Sequence, residues 1–442
     1  MKRGRVMKRS HLLTIVLLVF LMVAGWLNVL TADADAATNE QKLHMESADK
    51  YFDKGLFWKA GQEYLEALSN TGTEENWQIM LDAFASSYAQ GDDCYTEYLS
   101  AAQAAVSAYR NNENFLMQLI SLYTDDDNYA QALSILNQAR NSGLESPAVL
   151  DKILEVSYAF ELLWEDYDQI GSFTNGYISA SSDGEYFYVD TTGSSERIRG
   201  ISGLGPMGED GIRTFVLEDK LTFQDEAGVP QGFVTGSIEE IGVYAEGLIP
   251  VKVNGSVSYY NLIGEKQFGS YERAGTFCLS RAAVCKDNKW YLVDSTGSLS
   301  DESFEDIVLN EDGTWTDNGI MLAKTGGKYR LYDTNLEPVC DGAWDAVDVV
   351  CKDSPIAFCV NGKWGYMDSE GTVLIEPAYT NAKSFSNGLA AVSNGSLWGF
   401  IDVNGNLVID YQFQDADYFT EAGCCMVLTD TGWKMLSRYV TQ

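Results

Sequence analysis

The chain has 442 residues, of which 45% are hydrophobic and only 7 are proline, so two or three packed domains are expected rather than one domain with a long disordered linker. The formal net charge is -34, and residues 1–36 carry five Lys or Arg and two Asp, a balance of +3, so the remaining chain carries -37. Such an acidic chain repels phosphate backbones, which argues against a nucleic-acid partner.

The N-terminal segment, residues 1–36, has the pattern of an export signal. A basic stretch from Lys2 to Arg9 precedes an apolar run from Leu12 to Leu30, and the small residues between Ala32 and Ala36 offer cleavage sites. The run is also long enough to span a bilayer. A cleaved signal peptide and an uncleaved N-terminal membrane anchor both fit, and both place the rest of the chain outside the cytoplasm.

Residues 37–168 are predicted to be helical, because Ala, Leu, Glu and Gln dominate and glycine is sparse. Similar stretches begin near Phe57, Tyr95 and Tyr129, each with aromatic and small residues at helical spacing. This period resembles the tetratricopeptide repeat. The resemblance implies an array of helical hairpins that binds extended peptides or partner helices; a helical spacer is the alternative. A last helix, about Pro147 to Trp164, is expected to cap the array.

Residues 169–442 contain a different repeat. "NGKWGYMDSEG" begins at Asn361 and "NGSLWGFIDVNG" begins at Asn394, and the same pattern recurs in weaker form upstream. Successive copies are 33 to 39 residues apart. The positions that correspond to the tryptophan, here called the wedge positions, are Tyr186, Leu221, Val257, Trp290, Tyr329, Trp364, Trp398 and Trp433.

Each part of this repeat has a local physical reason. Two short apolar strands flank a tight turn, and a strand that is apolar on both faces must be covered on both. Asp402 and Gly405 stand at the first and fourth positions of a turn, which predicts a type I turn in which the aspartate is a turn former rather than an acid or base. The wedge residue is expected to fill the space between neighbouring sheets. Gly365 and Gly399 are expected to let a neighbouring ring lie flat on the backbone.

The copies at Trp364-Gly365 and Trp398-Gly399 resemble the WG-repeat family, whose repeats look like propeller blades. The resemblance implies a β-propeller of about seven blades, with an eighth, partial copy that pairs with the sheet begun near Phe173 and closes the ring. The alternative is an open β-solenoid or hairpin array. The chain is thus expected to be multidomain, a tetratricopeptide-like α-hairpin array followed by an all-β propeller.

Catalysis is not expected, because no histidine follows His44 and no phosphate-binding loop is present. No cofactor is expected; a calcium site built from isolated carboxylates is an alternative.

The predicted function is an exported, non-catalytic scaffold that binds a protein or peptide at the cell envelope. The first alternative is a glycan or cell-wall binding module. Three aromatic residues outside the wedge positions, Trp315, Trp344 and Tyr379, are its candidate platforms at the propeller mouth. A third alternative is a hydrolase on a propeller scaffold.

Overall fold

The structure is a computed structural model that describes residues 39–68, 72–351 and 354–440. The chain divides into two compact units, Met1–Ser157 and Tyr158–Gln442, so the first unit ends before the predicted boundary at residue 168. The predicted signal or anchor segment, residues 1–36, lies outside the described residues. Within the described ranges, no helix is both long and apolar enough to cross a membrane.

The first unit is helical. Its helices in the described ranges are α1 (Asn39–Phe52), α2 (Phe57–Leu68), α3 (Glu74–Ala89), α4 (Tyr95–Ala108), α5 (Glu113–Asp125), α6 (Tyr129–Asn141) and α7 (Pro147–Ser157). Each helix packs against the next in the chain. This arrangement is consistent with the predicted helical repeats.

Local sequence explains where these helices begin and how closely they pack. The Thr73 side chain accepts a hydrogen bond from the Asn76 amide and so caps α3. A Cβ on Gly61 would lie 2.9 Å from the Phe84 ring, so glycine allows α2 to approach α3. The Tyr64 hydroxyl donates to Asp49 Oδ1 at 2.7 Å and joins α2 to α1. The small and aromatic residues of the repeat therefore form its core, as predicted.

The second unit is a β-propeller of eight antiparallel sheets, here called blades 1 to 8 in chain order. Blades 1 to 4 contain β2 (Gln169–Thr174), β3 (Tyr177–Ser182), β4 (Glu185–Asp190), β5 (Ser195–Ile198); β6 (Gly203–Leu204), β7 (Arg213–Leu217), β8 (Lys220–Gln224), β9 (Pro230–Thr235); β10 (Ile238–Ile241), β11 (Ile249–Val253), β12 (Ser256–Tyr260), β13 (Lys266–Tyr271); and β14 (Arg273–Ala274), β15 (Arg281–Lys286), β16 (Lys289–Asp294). A single 3₁₀ turn, Glu209–Gly211, lies between β6 and β7.

Blades 5 to 8 complete the ring. They contain β17 (Asp306–Ile307), β18 (Ile320–Thr325), β19 (Lys328–Asp333); β20 (Ala346–Val347), β21 (Ile356–Val360), β22 (Lys363–Met367), β23 (Val373–Tyr379); β24 (Asn381–Ala382), β25 (Leu389–Ser393), β26 (Trp398–Asp402), β27 (Leu407–Phe413); and β28 (Asp415–Ala416), β29 (Cys424–Leu428), β30 (Trp433–Arg438) with β1 (Phe160–Tyr167). In blades 4 and 5, isolated bridges replace a regular outer strand.

The strand that closes the ring is β1, which comes from the start of the second unit and does not belong to blade 1. β1 pairs with β30 and forms the outer strand of blade 8. The predicted count of about seven blades is therefore wrong, because β1 completes the partial eighth copy. The predicted partner near Phe173 is also wrong, since Phe173 lies in β2 of blade 1. The last helix ends at Ser157 rather than near Trp164, because the residues from Phe160 onward form β1.

Blade 8 contacts blade 1 in the same way as other blades contact their neighbours. This contact does not favour the open-array alternative. In blades 3 and 4, a turn glycine packs against the outer strand of the preceding blade: Gly264 against Phe233 and Gly297 against Phe268. Gly193 of blade 1 packs in the same way against Leu163 of β1. Blade 8 therefore precedes blade 1 in space as any blade precedes the next.

The predicted wedge role is confirmed for Trp290, and the predicted turn role is confirmed for Asp402. Trp290 is 2% exposed and packs in one cluster with Met321 and other residues of blade 5. Asp402 Oδ1 accepts hydrogen bonds from the amides of Asn404 and Asn406, both at 2.9 Å. The wedge therefore fills the space between blades, and the aspartate organises the turn after its strand.

The glycine that follows the tryptophan has a different role from the one predicted. A Cβ on Gly399 would lie 2.6 Å from the carbonyl oxygen of Ile409, which belongs to the outer strand β27. The register between β26 and β27 shifts at this point, so the outer strand bulges over the glycine. Gly399 is therefore needed for the close approach of a bulged backbone, not of an aromatic ring.

Candidate functional site

One register position of the repeat forms a ring around the propeller axis. The backbone amide at this position donates to the second strand of its own blade, and its members outside blade 1 are Gly205, Gly242, Gly275, Val308, Asp348, Lys383 and Asp417. Blades 2 to 4 carry glycine at this position, blade 5 carries valine, and blades 6 to 8 carry charged residues. The chain therefore places its charges on one side of the ring.

Contacts between blades that are not neighbours place these charges in the central channel. The Ser172 hydroxyl of blade 1 donates to Glu311 Oε2 at 2.7 Å, four blades away. The Tyr418 hydroxyl of blade 8 donates to Asp348 Oδ2 of blade 6 at 2.7 Å. Only side chains that reach the axis of a ring can meet in this way. Lys383 Nζ of blade 7 also donates to Asp417 Oδ1 at 3.1 Å.

We call Ser172, Glu311, Asp348, Lys383, Asp417 and Tyr418 the channel cluster. Apart from Ser172, its members lie in, or at the start of, the connections between the first and second strands of their blades. These connections meet at one end of the channel. The Ser384 amide donates to Asp348 Oδ2 at 2.6 Å, and the Lys383 ammonium lies 4.8 Å from the centre of the Tyr418 ring. Hydrogen bonds therefore join the members of the cluster in blades 6 to 8, and a separate bond joins Ser172 of blade 1 to Glu311 of blade 5.

Among the residues that the structure describes, the cluster contains three carboxylates and one ammonium group, that of Lys383. Packing near the channel walls, followed by the charge of Asp417, raises the pKa of Glu311, although its side chain is exposed to solvent. Desolvation also raises the pKa of Asp348, despite opposing hydrogen bonds from Ser384 and Tyr418. For Lys383, desolvation is outweighed by the charges of Asp417 and Glu311, and its pKa is raised.

Two further groups respond to the same negative field. Burial and then the nearby charge of Asp348 raise the pKa of the Tyr418 phenol. The same causes, in the same order, raise the pKa of the Cys351 thiol. Both groups are therefore neutral at ordinary pH, so Tyr418 serves as a hydrogen-bond donor and Cys351 is not an activated nucleophile.

Sequence reasoning missed the channel cluster, although a signal for part of it exists. Lys383 lies 15 residues before Trp398, and Asp417 lies 16 residues before Trp433. Each also stands two residues before a buried aromatic, Phe385 or Phe419. Aligning the copies on this aromatic would have revealed the column of glycine and charged residues. Which members meet across the channel could not be found in this way.

The aromatic platforms predicted for a glycan are not at a solvent-facing mouth. Trp315 is 1% exposed, and its indole Nε1 lies 3.2 Å from the carbonyl oxygens of Cys278 and Arg281. Trp344 is 6% exposed and packs against Phe358. Both rings are therefore buried rather than exposed at the propeller mouth, where they were predicted to lie. They fill space where blades 4 and 5 depart from the regular repeat.

Tyr379, the third predicted platform, is half-buried on the outer strand of blade 6. Its ring packs edge-on against Tyr366, with 6.2 Å between ring centroids. Burial, followed by the nearby Tyr411 phenol, raises the pKa of Tyr379. The structure therefore does not bring the three predicted aromatic residues together.

Two other features of the described residues do not form a site comparable to the channel cluster. Within the described ranges, no group of three or more His, Cys, Asp or Glu side chains has an arrangement that could hold a metal ion, so calcium gains no support. An open cleft of about 500 Å³ lies between blades 2 and 3 and is lined by Leu204, Val216 and Ile241, with Glu239 and Glu240 at its edge. Its side chains form no network comparable to the channel cluster.

Residues 364–398 and 398–433 match the family described as WG containing repeat, so the chain carries two such repeats in blades 6 to 8. No curated protein sequence matches the chain.

Among solved structures, Kluyveromyces lactis Hsv2p is 11% identical with a TM-score of 0.38, covering 54% of this chain and 93% of that one. A chain of a mitotic checkpoint complex is 9% identical with a TM-score of 0.38, covering 63% and 95%. A eukaryotic initiation factor is 15% identical with a TM-score of 0.37, covering 62% and 84%. No inference about this chain follows from likeness at this level.

Proposed function

We propose that this protein is an exported, non-catalytic scaffold that binds a protein or peptide partner at the cell envelope. The observation that carries the proposal is the channel cluster, in which polar side chains from separate blades converge on one solvent-accessible end of the ring. A closed ring of blades holds these groups in fixed positions, and fixed polar groups lower the entropic cost of binding. The helical unit supplies a second surface of a kind suited to peptides.

Two features of the propeller support a binding role over catalysis by a histidine or cysteine. No histidine follows His44 in the chain, and the Cys351 thiol beside the cluster has a raised pKa. Tyr418 donates a hydrogen bond to Asp348, and Lys383 donates one to Asp417. These features favour recognition of a partner by hydrogen bonds and charge.

Export is supported by the basic stretch and apolar run of residues 2–30. The proposal places the helical unit and the propeller on the outer side of the membrane, either released or anchored. A reporter fused after Gln442 should be active only outside the cytoplasm. Activity confined to the cytoplasm would contradict this part of the proposal.

The binding role can be tested by cross-linking and co-purification of the full-length tagged chain from its native envelope. The informative variant is Glu311→Gln with Asp348→Asn, which removes two charges from the channel. Its matched control is Asp294→Asn with Asp333→Asn, which removes two charges from turns outside the channel. One partner should be retained by the parent and the control but lost by the channel variant. Equal recovery with all three proteins would remove the channel cluster from the proposal.

A further inference from the structure

We infer that the cleft between blades 2 and 3 binds an aromatic side chain of a protein or peptide partner. The cleft contains no residue of the channel cluster and has largely apolar walls, so the inference adds a second site to the proposed function. Two observations carry it: the repeat leaves out an aromatic ring at this place, and the chemistry of the rim indicates which partner would supply one.

The wedge residue of a blade and the residues that pair with it, strand by strand, are here called the wedge level of that blade. Residues that pair directly on antiparallel strands point to the same face of a sheet. In blade 4 the wedge level is Arg273, Cys285, Trp290 and Phe304. In blade 2 it is Gly203, Val216, Leu221 and Val234. Leu221 packs in one cluster with Val251 of blade 3, so this face points toward the next blade.

Blade 2 differs from the other blades at this level, because none of its four residues is aromatic. In the other blades the wedge level includes an aromatic side chain, in chain order Tyr186, Tyr271, Trp290, Tyr329, Trp364, Trp398 and Trp433. In blade 3 this side chain lies on the outer strand, and in the others it lies at the wedge position. Blade 2 therefore lacks the ring that the repeat provides before the next blade.

An aromatic wedge residue extends as far as the innermost strand of its blade. The guanidinium carbon of Arg273 lies 4.7 Å from the centre of the Trp290 ring in blade 4. The Tyr329 hydroxyl donates to Asp306 Oδ2 at 2.7 Å in blade 5. Arg273 and Asp306 occupy the position that Gly203 occupies in blade 2. An aromatic wedge in blade 2 would thus lie over Gly203.

The cleft lies where this ring is missing. Leu221 is too short to reach the innermost strand, and Gly203 has no side chain to fill the space. The cleft measures about 500 Å³, within the usual range of ligand pockets, about 300–1,000 Å³. Its walls are formed by half-buried apolar side chains of both blades, namely Leu204, Val216, Ile238 and Ile241. A flat aromatic group that covers these side chains removes apolar surface from water.

The rim of the cleft is polar and acidic. Asp219, Glu239 and Glu240 line it, and Lys252 Nζ lies 4.0 Å from Glu239 Oε2. The ring of a tryptophan or tyrosine can cover the apolar walls while its N–H or O–H group donates to a rim carboxylate. A basic residue beside the aromatic residue is attracted to the same rim. The partner is therefore expected to present an aromatic residue next to Lys or Arg.

The charge of the rim disfavours a second copy of this chain as the source of the ring. Trp164 is 84% exposed, the highest value among the large hydrophobic side chains that the structure describes. It is followed in the chain by Glu165 and Asp166. Carboxylates beside an inserted ring would be repelled by the acidic rim. A separate partner with basic residues beside its aromatic residue fits the cleft better.

The test uses the full-length chain and a blocked hexapeptide of glycine and serine with a central Lys-Trp pair. A Lys-Ala peptide has the same charge but no ring, and a Lys-Leu peptide has an apolar side chain that is not flat. Isothermal titration should show that the Lys-Trp peptide binds at least about tenfold tighter than the Lys-Ala peptide, because only the ring covers the cleft walls. It should also bind severalfold tighter than the Lys-Leu peptide.

Variants show whether the peptide enters this cleft. Leu221→Trp supplies the missing ring from within, so it should weaken peptide binding at least about tenfold without lowering the melting temperature. Gly203→Leu places a side chain in the cleft at a position that carries one in other blades, and it should weaken binding similarly. The matched control is Asn381→Leu, because Asn381 occupies the same position in blade 7. It should keep the parental affinity.

The inference would be overturned by no binding of the Lys-Trp peptide at about 10 mM, by equal binding of either comparison peptide, or by an unchanged affinity in both cleft variants. Self-association of the parent chain that Leu221→Trp abolishes, measured by sedimentation, would also overturn it, because a second copy would then occupy the cleft.

These results are distinct from failure of the proposed function. If the peptide binds as expected but co-purification recovers no partner, the cleft site stands and the scaffold function loses its support. If the peptide fails to bind while a partner that depends on the channel cluster is recovered, the scaffold function stands and the cleft site does not.

Discussion

Replacing Gly399 by alanine tests why the repeat pairs tryptophan with glycine. A Cβ at this position would lie 2.6 Å from the Ile409 carbonyl oxygen and 2.9 Å from both the Asp410 carbonyl carbon and the Tyr411 nitrogen. Favourable contact distances are about 3.5–4.0 Å, so the outer strand must move by roughly 1 Å. All three atoms belong to the backbone, and no flexible side chain can move aside to relieve the contact.

The expected cost follows from this geometry. Overpacking of a fixed core costs about 1–3 kcal/mol, and the lower entropy of the unfolded alanine chain returns about 0.4–1 kcal/mol. Gly399→Ala should therefore destabilise the propeller by about 1–2 kcal/mol, which lowers the melting temperature by about 2–8 °C. Thermal unfolding followed by tryptophan fluorescence, with urea unfolding for the free energy, measures this change.

Gly203→Ala is the matched control, because it also places a Cβ on a strand glycine of the propeller. The nearest atom there is Val216 Cγ2 at 3.3 Å, a side-chain atom that can shift. Its effect should stay within about 0.5 kcal/mol. A Gly399→Ala protein as stable as the parent, or no less stable than the control, would refute the proposed reason for the Trp-Gly pair.

Three further predictions concern charge and burial. Burial opposes ionisation of Asp402, but hydrogen bonds from Asn406 and Asn404 outweigh this effect and lower the pKa of its carboxyl group. The contribution of ionised Asp402 to the free energy of unfolding is therefore present above about pH 4 and is lost as the pH falls through the lowered pKa. Asp402→Ala should thus cost about 0.5–2 kcal/mol at neutral pH, and melting curves at pH 7 and below pH 4 should show the difference shrinking. The pH effect of Asp348 on stability has the opposite sign, because its raised pKa means that the ionised form is less favourable in the folded protein. Acidification from pH 7 through that pKa should therefore stabilise the propeller. Asp348→Asn should flatten this part of the plot of melting temperature against pH. If the slope of melting temperature against pH were unchanged in Asp348→Asn, titration of Asp348 would not be its cause. Cys425 is fully buried with a strongly raised pKa, so mass spectrometry should detect its alkylation only at the rate of unfolding.

The local features of the propeller could be predicted from sequence because they depend on neighbours in the chain. The turn after Trp398 is specified by Asp402 and Gly405, whose amides and side chains interact within a few residues. The wedge role of Trp290 followed from its size and its recurring position. These interactions are repeated in each copy, so the period revealed them.

The features that were missed depend on distant parts of the chain. The stretch from Phe160 to Tyr167 carries no copy of the repeat and becomes a strand because β30 offers an unpaired edge. Ser172 and Glu311 are separated by 139 residues and meet only when the ring closes. Trp315 was predicted to be a candidate glycan platform because it lies outside the wedge positions. It is buried because the long connection between β17 and β18 folds into the core.

Closure of the ring by β1 is the central claim, since the channel cluster exists only in a closed ring. Hydrogen exchange of the full-length chain, with residues 160–167 replaced by a Gly-Ser segment of equal length, tests it most directly. Blade 4 lies opposite blade 8, so a closed ring predicts that amides of β15 and β16 lose protection together with those of β29 and β30. In an open array each repeat depends only on its neighbours. Parental protection in β15 and β16, with losses confined to blades 8 and 1, would contradict the account.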